Sequence, residues 1–251
     1  MWLAALYGGL ASAMLIVGTA LAYTFKPSAR LTAIVMAIGA GLLIGSVAYD
    51  LVEEAKPSLS LSWLAVALMA GALVFVLGSR LIEKRGVTNA RTSHAAHRKS
   101  PTPPAEGESN PLSIVLGSGL DGIPESFVLG LSVLTGGVSL PLLLGISLSN
   151  IPEGMAAGSG LRSRGWPAKK VIAMWLVVVV ISATAAAVGH EILANDDGTW
   201  AGLAQTFAAG ALLAMLADTM LPESYAVERT WTGALVVGGF AGSLLIAGLV
   251  A

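Results

Sequence analysis

LPLLLGISLSNIPEGMAAGSGL, residues 140–161, is apolar enough at its ends to lie in a membrane, yet Ser149, Asn150, Pro152 and Glu153 sit in its middle. A bilayer core of about 30 Å is crossed by about 20 helical residues at 1.5 Å each, so the stretch reads as a transmembrane helix with a carboxylate buried inside it. The apolar run before it, 111–134, repeats the arrangement. There Asp121-Gly122-Ile123-Pro124-Glu125-Ser126 takes the central place that Ser149-Asn150-Ile151-Pro152-Glu153-Gly154 takes in its neighbour.

Working outward, runs of similar length recur at 2–25, 31–52, 59–81, 171–193, 199–221 and 231–251, which brings the expected number of spans to eight. Composition agrees. The 251 residues are 55% hydrophobic and 12% charged, with mean hydropathy +0.78, whereas a soluble domain is about half apolar and about a quarter charged. The net charge of −1 and the lack of a basic stripe argue against nucleic acid as a partner. With no cysteine, any metal site must use oxygen or imidazole donors. The 2–25 run lacks a basic leader and is expected to be a permanent helix.

Every Lys and Arg except Lys56 falls in the connections after the first, third, fifth and seventh runs. The positive-inside rule makes those connections cytoplasmic and both termini extracytoplasmic. The long connection, residues 82–110, is polar and aperiodic and is expected to be a flexible cytoplasmic loop within a single membrane domain of residues 1–251. Ala40-Gly41-Leu42-Leu43-Ile44 resembles Ala209-Gly210-Ala211-Leu212-Leu213, each with a Glu thirteen residues after its Gly, Glu54 and Glu223. Similar segments crossing in opposite senses are a mark of inverted repeats. Chance matching of Ala-Gly-Leu tracts is the alternative.

A carboxylate at the bilayer centre costs at least about 2.5–3.5 kcal/mol on insertion scales and needs compensation. Asp121 and Glu125 are four apart, as are Ser149 and Glu153, so each pair shares a helix face. Pro124 and Pro152 remove a backbone donor and free the carbonyls of Leu120 and Leu148. Asp121, Glu125, Ser149, Asn150 and Glu153 are all oxygen donors suited to a divalent cation. A lone membrane Glu is commonly a helix–helix hydrogen bond, but two copies on neighbouring helices favour a shared site.

Asn150-Ile151-Pro152-Glu153-Gly154 and its echo Gly122-Ile123-Pro124-Glu125-Ser126 resemble the His-Asn-x-Pro-Glu-Gly signatures of the ZIP (Zrt/Irt-like) divalent metal transporters. The segment from Ala209-Gly210 to Leu221-Pro222-Glu223 is similar to that family's seventh helix. The resemblance extends over nearly the whole chain. It implies an all-α membrane fold of eight helices in a 3+2+3 inverted-repeat bundle, and a metal held between helices 4 and 5 by Asp121, Glu125, Ser149, Asn150 and Glu153. It also implies transport of Zn2+, Fe2+, Mn2+ or Cd2+ toward the cytoplasm; expected partners are these ions, the lipid bilayer and a second copy in a homodimer. The chain departs from the signatures where Asp121 and Ser149 replace His and Gly122 replaces Asn. Loss of imidazole shifts the expected preference from Zn2+ toward Mn2+ or Fe2+.

Asp50, Glu53, Glu54, Glu191, Asp196 and Asp197 are expected at the outer ends, against Lys56 alone, where they would gather cations at the mouth or, as the equal alternative, be ordinary solvated helix ends. Asp218 and Glu223, expected at the inner end, are candidates for an exit or a regulatory site. His94 and His97 in the long loop are candidates for loose metal binding, with solvated histidines the plainer reading, and His190 for a further ligand, with a hydrogen-bonded interfacial histidine the plainer reading. Two other functions stay open: a metal sensor or scaffold without transport, and an intramembrane metal-dependent hydrolase. The hydrolase lacks a Ser-His pair, a His-Glu-x-x-His motif and a paired-aspartate motif to support it, so a non-enzyme is expected.

Overall fold

The computed structural model describes residues 1–25, 27–84, 111–133, 139–194 and 198–250, with the side chains of residues 82–84, 111–121, 192 and 250 outside that description. Among the described residues the chain forms eight helical rods and no strand: α1 (Trp2–Thr24), α2 (Ala29–Glu53), α3 (Leu61–Lys84), α4 (Pro111–Ser132), α5 (Leu140–Ser163), α6 (Ala168–Leu193), α7 (Thr199–Glu228) and α8 (Thr232–Val250). Six of them (α1, α2, α3, α6, α7 and α8) are long and apolar enough to cross a membrane. The remaining two, α4 and α5, are comparable in length at 22 and 24 residues and carry the Pro-Glu motifs.

Local sequence sets the ends. Ser28 caps α2 by accepting from Leu31 N at 3.2 Å, and Ser139 caps α5 by accepting from Leu142 N at 3.2 Å, with Pro141 in the first turn where its missing N–H costs nothing. Gly165, at φ +77°, turns α5 into α6, and Gly198, at φ +95°, starts α7. The expected ends hold within a few residues except in α7, which runs on to Glu228 instead of stopping near Leu221. π-helical turns over Leu216–Met220 precede Pro222. The looser winding accommodates a proline that cannot donate to the preceding turn. Asp218 and Glu223 therefore lie within the rod, not at its end. α2 widens in the same way over Val47–Glu53, which carries Asp50 and Glu53.

Helix directions follow from contacts. α1 runs parallel to α5, with Ala11, Leu15 and Thr19 opposite Asn150, Gly154 and Gly158, and antiparallel to α6, with Gly8 and Thr19 opposite Ala186 and Trp175. α2 is antiparallel to α5, Gly39 facing Ser149 and Leu43 facing Gly145, and parallel to α8. α4 runs with α6 and α3 with α7. The rods thus alternate in direction, and both termini lie on one face. The opposite face carries Arg30, Arg80, Arg162, Arg164, Lys169, Lys170 and Arg229, and the terminal face carries Lys56.

The packing falls into two groups. α1 packs on α4, α5 and α6; α2 packs on α8 and the end of α7, and α3 packs on α7. α2–α5 and α4–α7 contacts join the groups through a core that includes Leu43, Val47, Leu129, Leu142, Ile146, Leu212 and Leu216. A smaller core of Leu15, Leu161, Val171, Trp175 and Val178 knits α1, α5 and α6. α3 presents Val66, Met69, Leu73, Val74 and Leu77 outward, and α8 presents Val237, Leu245 and Leu249, as lipid-facing helices do.

Between helices in lipid the hydrophobic effect is weak, so close backbone contact and polar pairing hold the bundle. α1 and α5 meet where Gly18 lies against the Ile151 carbonyl and Gly154 against the Leu15 carbonyl, too close for any Cβ. Arg162 then closes the end of α1 by donating to the carbonyls of Ala22 and Tyr23 at 2.8 and 2.9 Å. Gly154→Ala is expected to push the two helices apart at a cost of about 1–3 kcal/mol. Gly160→Ala, where no described atom lies within 4 Å of a new Cβ, is expected to be near neutral; thermal unfolding of both variants in detergent makes the comparison.

Candidate metal centre

Pro124 and Pro152 lie inside α4 and α5 without ending either helix. The α5 motif is backed by α2, where Gly39 lets the helix approach the Leu148–Ser149 backbone; a Cβ there would stand 3.2 Å from Ser149 N. Glu125 and Asn150 are each 3% exposed, Ser149 is buried and Glu153 is half-buried. Both glutamates interact within the protein.

The two motifs meet at α1. Asn150 Nδ2 donates to the Ala11 carbonyl at 2.9 Å, and Ser126 Cβ lies 3.6 Å from where a Cβ on Gly8 would stand. Gly8 and Ala11 are one turn apart, so one turn of α1 touches both. A direct face-to-face pairing of α4 with α5 is not the main packing; α4 leans mostly on α6, and α5 on α1 and α2.

This geometry refines the expected donor set. Ser149 Oγ donates to the Ile146 carbonyl at 2.9 Å, on its own helix, which leaves its lone pairs for a cation. Asn150 spends its amide N–H on α1, which leaves the carboxamide oxygen as its donor atom. Among the described residues no three of His, Asp and Glu gather closely enough to hold a metal; the Asp121 side chain lies outside them. The oxygen-only chemistry of the set fits a divalent cation.

The candidates farther out are scattered. Asp50 is half-buried and accepts from Ser139 Oγ at 2.5 Å. Glu53 pairs with Lys56, and Glu54 lies 3.4 Å from Gln205 Nε2. Glu191 and Asp218 are exposed and Glu223 is half-buried. His190 stands 3.0 Å from the Met1 amine. Asp196, Asp197, His94 and His97 lie outside the described residues, as does most of the 82–110 connection.

Sequence reading missed three polar links. Trp175 Nε1 donates to Thr19 Oγ1 at 2.6 Å, and Thr19 Oγ1 donates to the Gly154 carbonyl at 3.1 Å, which ties α6, α1 and α5 behind the second motif. Arg30 grips Glu228 with two bonds of 2.7 and 3.1 Å at the basic face. Ser139 joins α5 to α2 through Asp50. Only Ser139 left a local signal, a capping residue just ahead of Pro141; the others pair residues far apart in sequence.

No protein-family model matches the chain. A protein of Arabidopsis thaliana named "Putative zinc transporter" is 26% identical over 192 residues, which cover 75% of this chain and 29% of that protein. The chain therefore spans less than a third of the length of the relative it matches. Together with the apolar rods, this similarity agrees with a multi-pass membrane protein of transporter type.

Thr19→Val is expected to strand the buried Trp175 indole N–H and to remove the second bond to the Gly154 carbonyl, at a cost of about 1–3 kcal/mol. Thr24→Val, which removes an exposed hydroxyl bonded to its own helix, serves as the comparison in thermal unfolding.

Proposed function

We propose that the chain moves a divalent metal cation of the Zn2+, Fe2+ or Mn2+ class across the membrane, through a carboxylate-rich site formed by Asp121, Glu125, Ser149, Asn150 and Glu153 on α4 and α5. The observation that carries the reading is the burial of two Pro-Glu motifs in mid-helix, both against one turn of α1. A carboxylate buried in mid-membrane is costly to keep charged, and a bound cation lowers that cost. The plant relative, named for zinc transport, supports a metal as cargo.

Support for a 3+2+3 inverted repeat comes from paired contacts. Exchanging α1 with α6, α2 with α7, α3 with α8 and α4 with α5 maps α2–α8 onto α7–α3 and α1–α5 onto α6–α4. Gly41 abuts the Val236 carbonyl of α8 as Gly210 abuts the Leu68 carbonyl of α3, and Gly239 meets Ile38 as Gly71 meets Phe207. The π-helical turns of α2 and α7 begin six residues after Gly41 and Gly210. With the basic face cytoplasmic, both termini are outside and the acidic outer mouth feeds cations inward. Glu223 and Asp218 then lie toward the cytoplasmic half of α7.

Purified protein in liposomes is expected to show saturable divalent uptake that Glu125→Ala or Glu153→Ala abolishes. Metal binding without uptake would assign a sensor instead. Competition for uptake separates the ions. All-oxygen donors favour Mn2+ or Fe2+, and Zn2+ displacing Mn2+ by orders of magnitude would overturn that preference while leaving transport intact.

A further inference from the structure

Four cations, Arg162, Arg164, Lys169 and Lys170, crowd the turn between α5 and α6. No Asp or Glu occurs in residues 1–49 or 154–190, so the helices that meet here, α1, α5 and α6, offer them no carboxylate at this end. Among the described residues the ion pairs are Arg30–Glu228 and Lys56–Glu53, and neither involves these four. The basic face is thus neutralised where Arg30 meets Glu228 and left charged at the α5–α6 turn.

The cluster is held in place by α1. Arg162 is half-buried, with Nη1 fixed on the Ala22 and Tyr23 carbonyls and its guanidinium carbon 5.7 Å from the centre of the Tyr23 ring. The Tyr23 hydroxyl donates to the Trp166 carbonyl at 2.7 Å, and Lys170 Nζ stands 5.9 Å from the centre of the Trp166 ring. One chain of contacts therefore runs from Arg162 through Tyr23 and Trp166 to Lys170. It leaves the Nε and Nη2 donors of Arg162 without an acceptor among the described residues. A guanidinium with free donors beside a second cation suits a phosphate.

We propose that this cluster binds the headgroup phosphate of one anionic phospholipid, whose chains lie along α6. Lys169 and Leu176 are seven residues apart, as are Lys170 and Val177, so each pair shares a helix face, and all of them are exposed. An apolar, lipid-facing wall thus leads up to the cations. Trp and Tyr are the side chains that settle at headgroup level, where phosphate is the anion at hand. A free phosphate would meet the cations but not the wall. A zwitterionic headgroup brings its own positive charge, so the uncompensated cations select a headgroup of net negative charge. The bound lipid braces the ends of α1, α5 and α6, the same helices that the Trp175–Thr19–Gly154 link joins deeper in the bundle. The inference needs these helices to span a bilayer and does not rest on transport.

Native mass spectrometry of the full-length protein, released from micelles containing phosphatidylglycerol or phosphatidylcholine, tests the site. One phosphatidylglycerol is expected to stay bound in preference to phosphatidylcholine and to raise thermal stability in detergent. Lys169→Gln combined with Lys170→Gln is expected to weaken retention about 5-fold for each charge removed and to abolish the stabilisation. Arg80→Gln combined with Arg229→Gln removes the same charge from exposed positions on the same face but outside the cluster, and is expected to leave both readouts unchanged. The proposal is overturned if the two lipids are held alike, or if both double variants weaken retention equally, as diffuse attraction to a basic face would make them do. It is overturned too if excess inorganic phosphate displaces the lipid, which would make the ligand a soluble phosphate. Uptake enters none of these readouts, so failure of the transport reading shows separately in the liposome assay.

Discussion

Polar groups in the middle of this bundle have no water to fall back on, and each must be satisfied from inside the protein. That constraint organises the helices around α1. Its Ala11 carbonyl takes the Asn150 amide, its Thr19 hydroxyl links Trp175 to the Gly154 carbonyl, and its last carbonyls take Arg162. These bonds can form because Gly18 and Gly154 let α1 and α5 touch backbone to backbone. The glycines thus do more than fill space; they bring donors and acceptors on separate helices within reach.

The same economy shapes the candidate centre. A proline lies in the middle of each motif's helix, and small residues on α1 and α2 let the second motif's helix pack closely against both. Asn150 shows how the demand divides one side chain, its N–H holding α1 and its oxygen facing other duties. At the two ends the arrangement differs. The basic face carries the two-bonded Arg30–Glu228 pair, which joins α2 to α7, whereas the opposite face carries the one-bonded Ser139–Asp50 contact between α5 and α2, with Gln205 reaching Glu54 and the Met1 amine beside His190. A single hydrogen bond to a carboxylate is the more readily exchanged of the two.

Much of this was legible in the chain. The apolar runs located every rod but the end of α7 to within a few residues, because length and hydropathy answer directly to bilayer thickness. The alternation of Lys and Arg between connections matches the single basic face that the helix directions produce. Glu125 and Glu153 stood out because carboxylates are rare in such runs. The reading failed where winding departs from the α-helix: α7 continues past Leu221 because π-helical turns absorb Pro222, and apolar pattern carries no mark of such turns. Nor could it tell that α4 packs mostly on α6 and α5 on α1 and α2, since adjacency in sequence does not say which third helix lies against each.

By itself, then, the sequence determined how many rods there are, which ones carry carboxylates and which connections carry positive charge, for these depend on local composition and on the thickness of a membrane. Only the tertiary structure decided which polar groups meet. The links Trp175–Thr19, Asn150–Ala11, Arg30–Glu228 and Ser139–Asp50 join residues at least 89 positions apart, and such pairs are set by how close two helices can approach, a property of the glycines facing each other across the gap and not of any one segment.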